Sequence, residues 1–431
     1  MKFSLTTRIF GLLLGVALVV SSCSTEEPPR GILESQQDPE EALSGYSEPI
    51  EGQYIIVFKD GETQSSSMAA PLSVESRTNK LFEQEQEQDV EILRIYSSTV
   101  SGAAVRLSPS ALSKLQGHKD IAYIEQDHII ALAPPCGLRP NNPCPGDPGD
   151  PGDPGDPGDP GDPGDPGDGD DDDGPDQIIP YGVTRVNGVS DYTGNNVAWV
   201  LDSGIDLDHP DLNVDASRGF NAFTRGRESR SLDDLNGHGT HVAGTIAAKN
   251  NDFGVVGVAP GATVIPVKVL DMRGNGSYSG LIAALDHVGA NGSAGDVANL
   301  SLGGPTSQAL DDAVLAVAAK GIKMVLASGN DAMDANLSSP SRVNGDNVYT
   351  ISAVDENDHW AAFSNFGNPP VDFAAPGVAI ISTYKGGAYA SASGTSMAAP
   401  HAAGVLLLGE PSTDGVAIND PDGTPDPIIV H

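Results

Sequence analysis

Beyond the first 23 residues, apolar positions fall into two main blocks, separated by a stretch, residues 139–176, without Ala, Val, Leu, Ile, Met or any aromatic residue. In the first block, Tyr54 to Lys59 is β-branched and aromatic, which predicts a strand. Leu81 to Ile95 mixes Glu and Gln with spaced apolar residues and reads as a helix running into a strand. Ser108-Pro109 opens a second helix, with Ser as cap and Pro in the first turn. Ile121 to Ile130 closes the block as a strand. The order strand, helix, strand, strand, helix, strand predicts a small α+β ferredoxin-like domain. The second block begins near residue 177. Apolar strands such as Val197–Leu201 and Lys323–Ala327 alternate there with helical stretches at 238–248, 279–290, 308–320 and 395–408. Near-continuous apolar strands between helices predict a parallel sheet covered on both faces, an α/β layered domain.

The stretch between the blocks carries much of the chain's negative charge, proline and glycine. Residues 145–168 are eight Pro-Gly-Asp triplets, and Asp147 to Asp176 holds 13 Asp with no Lys or Arg, out of a net charge of −36 for 431 residues. Such a segment buries nothing and cannot offset its chain entropy. Gly at every third position resembles collagen, but three such chains would stack Asp on Asp. An extended, self-repelling linker is the expectation, with a reach of about 75 Å over 24 residues. The acidic balance argues against nucleic acid as a partner. Cys136 and Cys144 just before the triplets are a candidate disulfide, and three Cys in all exclude a disulfide scaffold.

Residues 1–23 have a basic head at Lys2 and Arg8, an apolar core and small residues before Cys23, the pattern of an export signal. Val20-Ser21-Ser22-Cys23 resembles a bacterial lipobox, which implies an acylated Cys23 and membrane attachment at the outer membrane or cell surface. The organisation expected is signal 1–23, tether 24–51, first domain 52–133, linker 134–176 and second domain 177–431.

Three segments of the second block carry candidate chemistry. Asp202 ends the apolar strand Val200-Leu201-Asp202 and precedes Ser203-Gly204, which puts its carboxylate at the sheet rim. His238 lies in Asn236-Gly237-His238-Gly239-Thr240-His241. A metal pair with His241 is disfavoured, because no Glu or third ligand accompanies it. Ser396, in Ser393-Gly394-Thr395-Ser396-Met397, opens a helix where free N–H groups favour negative charge. Each segment alone fits a turn or a cap. Together, in the order Asp, His, Ser, residues 177–408 resemble a subtilisin-like serine protease, in the later half the proteinase K type.

The resemblance implies a three-layer subtilisin-like catalytic domain with Asp202, His238 and Ser396 as a triad and Asn330 as oxyanion donor. It also implies substrate-binding walls at Ser301, Leu302 and Gly303, at Ala327, Ser328 and Gly329, and at Leu270, Gly276 and Tyr278. No charge is evident in the pocket walls, so cleavage after apolar residues is expected. The same resemblance places structural Ca2+ on Gln177, Asp211, Lys249, Asn251, Phe253 and Val255. It makes residues 52–133 an inhibitor-type propeptide, with the first cut after Ala133 and Ile130 at the fourth pocket. Pro134 beyond that cut and the Pro-Gly-Asp linker depart from the family. So does the short end after Leu408, where Pro421 to Pro427 reads as turns. The expected partners are peptide substrates and the chain's own propeptide, and the enzyme is expected to be a monomer. The competing readings are a surface lipoprotein that keeps the fold only for binding and an acidic calcium-binding spacer.

Overall fold

The computed structural model describes residues 47–59, 73–84, 90–132, 177–189 and 191–431. The signal, Cys23, Cys136, Cys144, Ala133 and the Pro-Gly-Asp linker lie outside the described residues.

The first domain contains β1 (Ser47–Phe58), α1 (Val74–Gln84), β2 (Glu91–Tyr96), β3 (Gly102–Arg106), α2 (Pro109–Leu115) and β4 (Ile121–Ala131). Its strands pair antiparallel in the order β2-β3-β1-β4, the expected ferredoxin-like arrangement. Two boundaries differ from expectation. β1 starts at Ser47, inside the segment expected to be a tether, because Ser47 to Pro49 find partners at the end of β4, Ser47 facing Ile130. α1 begins at Val74, ahead of Leu81. The unbroken apolar run of β1 has a physical cause. Ile56 and Phe58 pack with Leu81, Leu115 and Ile121 in the domain's own core, whereas Ile55 and Val57 face the second domain. A strand buried on both faces shows no alternation.

The second domain is built on a ten-stranded, mainly parallel sheet. Its main elements are β5 (Ala198–Asp202), α3 (His238–Ala247), β6 (Thr263–Lys268), the short β7 (Asn275–Ser277), α4 (Tyr278–Asn291), β8 (Val297–Leu300), α5 (Gln308–Ala318), β9 (Lys323–Ala327), β10 (Val348–Val354), β11 (Val371–Pro376), the hairpin β12 (Ile380–Tyr384) and β13 (Ala388–Ala392), and α6 (Thr395–Leu408). β14 (Ser412–Val416) and β15 (Pro427–Val430) follow. The sheet runs β14-β15-β11-β10-β9-β8-β5-β6, and the two-residue strands Asn213–Val214 and Phe220–Asn221 both pair with β6 to complete the ten. Ala198 and Val200 point to α3 and α6, and Trp199 and Leu201 point to α4 and α5. That is the three-layer α/β architecture expected. The short end adds strands to the sheet: β15 lies parallel to β11 and buries Ile428 and Ile429. Residues 419–426 between β14 and β15 are turns and loop, as read from the prolines.

Candidate active site

β5 lies between β6 and β8, so the chain leaves it on one side and returns on the other. Its carboxyl end is therefore the point where strand order reverses, the usual ligand crevice of open α/β sheets. Asp202, fully buried, occupies that end. His238 is the first residue of α3. Gly237 before it has φ 112°, and a Cβ there would lie 2.3 Å from the Tyr384 ring, so only glycine fits. His238 Nδ1 sits 2.8 Å from each oxygen of Asp202. Burial disfavours the imidazolium, but the charge and hydrogen bond of Asp202 outweigh it, with help from Asp234, and His238 is held above its ordinary pKa. His238 Nε2 is buried and has no hydrogen-bond partner among the described residues.

His241 faces elsewhere. Its Nε2 lies 3.0 Å from the Ile380 carbonyl and 3.1 Å from that of Ala390. Carbonyls only accept, so Nε2 carries the proton. Burial, with the nearby His238, pushes this ring down to about 3, so it stays neutral.

Ser396 is the second residue of α6 and is buried beside the cleft. Its Oγ donates to the Ser301 carbonyl at 3.1 Å, and Ser301 Oγ donates back to the Ser396 carbonyl at 2.9 Å. Asn330 Oδ1 accepts from Thr395 N at 2.8 Å and Thr395 Oγ1 at 2.9 Å. With its oxygen engaged, the amide nitrogen is left to donate. Ser396 and Asn330 line one cleft with Ser301, Leu302, Gly303, Ala327, Ser328 and Gly329, the two walls expected for the first pocket. Asp331 also lines it. This corrects the expectation of an uncharged wall: the residue after Asn330 reads as a loop polar until the turn folds it against the cleft. Burial raises its pKa.

The end of the first domain occupies the cleft. β4 pairs antiparallel with β7, Ile130 opposite Gly276, and Leu132 N donates to the Gly274 carbonyl at 2.8 Å. Ile130 is buried in the cluster that contains Leu270, Tyr278 and Leu302. Ala131 and Leu132 line the pocket with Ser396. Two carboxylates of β4 cap helices of the second domain. Asp127 Oδ1 accepts from Ser279 N at 3.0 Å in the first turn of α4, and Glu125 Oε2 accepts from Ala309 N at 2.9 Å in the first turn of α5. Both complement exposed N–H groups and the positive helix end.

All six residues expected at a calcium site converge. Gln177 Nε2 lies 2.9 Å from the Lys249 carbonyl, 2.9 Å from Asn251 Oδ1, 3.0 Å from the Phe253 carbonyl and 3.4 Å from that of Val255. Asn251 Nδ2 donates to Asp211 Oδ1 at 2.9 Å. An amide has two protons, so four oxygens around one nitrogen exceed what it can satisfy. The excess oxygens with a single carboxylate suit a hard cation. Among the described residues no group of three or more His, Cys, Asp or Glu could hold a metal; this cage is built mostly of carbonyls.

Sequence reading passed over two further buried groups. Lys268, at the end of β6 opposite Asp202, donates to the Ser203 carbonyl at 2.5 Å and pairs with Glu228 at 3.1 Å. Asp234 stands four residues before His238 and is buried. The apolar context of Lys268 and the acidic pair Asp233-Asp234 were the available signals.

Residues 195–410 match the model of the subtilase family. The chain belongs to the subtilase family. Residues 53–133 match the peptidase inhibitor I9 model, the propeptide of such enzymes. The subtilase resembles M-protease of Shouchella clausii (strain KSM-K16), 36% identical over 375 residues, covering 85% of this chain and 83% of the relative. It resembles subtilisin Savinase of Lederbergia lenta at 46% identity over 238 residues, 54% of this chain and 84% of the relative. A solved cold adapted subtilisin-like serine proteinase aligns with TM-score 0.50 and 33% identity, covering 58% of this chain and 97% of that one. The protein is thus a subtilisin-type serine peptidase, made with an inhibitory propeptide as a zymogen.

Proposed function

We propose that this subtilase cleaves peptide bonds through Asp202, His238 and Ser396, by way of an acyl-enzyme. The carrying observation is the Asp202–His238 pair at 2.8 Å, whose second ring nitrogen has no hydrogen-bond partner among the described residues. A serine hydroxyl needs a base to become nucleophilic. His238, with Nδ1–H held by Asp202, has Nε2 available to take the Ser396 proton and return it to the leaving amine. For this the hydroxyl turns from the Ser301 carbonyl toward the ring. Asn330 Nδ2 and the Ser396 N–H would hold the oxyanion, and loss of such a donor costs about 3–4 kcal/mol of transition-state stabilisation. The substrate adds a strand to β7, as Ile130 to Leu132 do. Apolar residues are preferred before the cut.

The reading extends to maturation and place. The first cut follows Ala133, which directly succeeds the docked Leu132. Residues Gln177, Asp211, Lys249, Asn251, Phe253 and Val255 would hold a structural Ca2+, which ties the start of the catalytic domain to the loop after α3. Acylated Cys23 holds the propeptide at the membrane, and cleavage releases a monomeric enzyme. Casein hydrolysis by the processed protein, with labelling by a fluorophosphonate, tests the mechanism. Both signals are expected to vanish in Ser396→Ala; activity that persists there refutes it. A soluble form carrying lipidated Cys23 still joined to Ser396 refutes release.

A further inference from the structure

The start of α3 has four N–H groups without helical acceptors, as every helix does. Asn236 Oδ1 accepts from His238 N at 3.2 Å, Ser203 Oγ from Gly239 N at 3.0 Å, and Asp234 Oδ2 from Thr240 N at 2.9 Å. Asp234 is the centre of this arrangement. Its Oδ1 also accepts from Ser203 Oγ at 2.9 Å, Asn236 N at 2.9 Å and Gly237 N at 2.8 Å, and its Oδ2 from Thr240 Oγ1 at 2.7 Å. The partners come from two places. Asn236, Gly237 and Thr240 flank His238, whereas Ser203 follows Asp202, and its N–H donates to Asp202 Oδ1 at 2.7 Å.

We propose that Asp234 is a positioning residue for His238: its carboxylate clamps the turn that carries the imidazole to the strand end that carries Asp202. Five hydrogen bonds to one buried carboxylate leave the two segments little freedom to slide, and ring and carboxylate must stay within a few tenths of an ångström for the base to act. The titratable groups facing His238 are Asp202 from β5, Asp234 from the preceding loop and the neutral His241 from α3 itself. Asp234 adds negative charge near the ring without touching it, so it also supports the imidazolium that forms in the reaction.

The proposal rests on the Asp202–His238–Ser396 reading, and the test separates the two. The processed enzyme is compared with Asp234→Asn, Ser203→Ala and Thr240→Val using a chromogenic peptide across pH. Asp234→Asn is expected to lower kcat at least tenfold with KM within twofold, and to shift the acid limb of kcat/KM to lower pH. Ser203→Ala and Thr240→Val keep the charge but each lose a link, so kcat should fall while the acid limb stays. In the Ser396→Ala background, the downfield Nδ1 proton of His238 should titrate at lower pH once Asp234→Asn is added. Wild-type kcat and an unmoved acid limb in Asp234→Asn, beside an inactive Ser396→Ala, overturn this proposal alone. An active Ser396→Ala removes the reading beneath it. If Asp234→Asn does not fold, unchanged kcat in both Ser203→Ala and Thr240→Val overturns it.

Discussion

Asp331 follows the amide proposed to hold the oxyanion and lines the same cleft, where burial raises its pKa. Below that pKa the side chain is neutral and the pocket favours apolar residues; above it the carboxylate can pair with a basic residue before the cut. Cleavage after Lys relative to Leu should therefore increase as pH rises through the Asp331 pKa. Asp331→Asn should remove the increase and leave cleavage after Leu within about twofold. Matched peptides assayed between pH 5 and 9 decide it, and equal ratios in both proteins refute the role. His241 makes the complementary point at the same scale. Its sequence setting, three residues from His238, invites a shared metal, yet its ring spends its one proton on two carbonyls of the β12–β13 hairpin.

Elements are joined at their ends, and charge at those ends is consequential. Glu125 reaches from β4 to the first turn of α5. Burial raises its pKa despite the hydrogen bonds from Ser307 and Ala309. A docked pKa above the free value means that docking takes up protons, so this contribution is fully present below the free Glu range and is lost as pH rises through the docked pKa. Release of the cleaved propeptide should accordingly quicken with rising pH, and Glu125→Gln should flatten that dependence. Size-exclusion chromatography of the processed but associated protein over a pH series measures it; a Glu125→Gln profile that superimposes on the original refutes it. The terminal hairpin gives a second prediction. Ile428 is fully buried at the sheet edge against Val354, Ala374 and Ala417. Ile428→Ala should destabilise the domain by about 2–5 kcal/mol, read from denaturant unfolding under calcium. A loss below about 0.5 kcal/mol would mean that the short end is not structural.

At the scale of the whole molecule, Leu132 is docked at the cleft while Gln177 is docked in the proposed calcium cage of the same uncleaved chain. The cage lies just past the far end of α3, about 15 Å from His238 for a ten-residue helix. The 44 residues between Leu132 and Gln177 can extend to roughly 145 Å, so neither end restrains the other. If the proposed cage binds calcium, the ion should therefore stabilise the uncleaved Ser396→Ala chain and the processed enzyme alike, by about 3 kcal/mol at a hundred times Kd. A Ser396→Ala chain whose linker is cut to three residues, reaching about 10 Å, should lose most of that gain. Melting curves with calcium and with chelator test both; a curve indifferent to chelator in the full-length chain removes the cage.

Much of this protein is written in local pattern. The four catalytic-domain helices, the βαββαβ order and the Asp202, His238 and Ser396 segments could be read because periodicity, glycine turns and helix caps are properties of neighbouring residues, whereas Asn330 was readable only through resemblance. The calcium residues were readable only through resemblance, since carbonyl ligands leave no side-chain signature. Three things belonged to the tertiary structure. Asp331 became a pocket wall, Asp234 became the link between two segments 36 residues apart, Asp202 and His238, and the turn-rich tail became a sheet edge. Each depends on contacts between distant parts of the chain. A side chain's burial and partners are set by what folds against it, and no window of neighbours contains that.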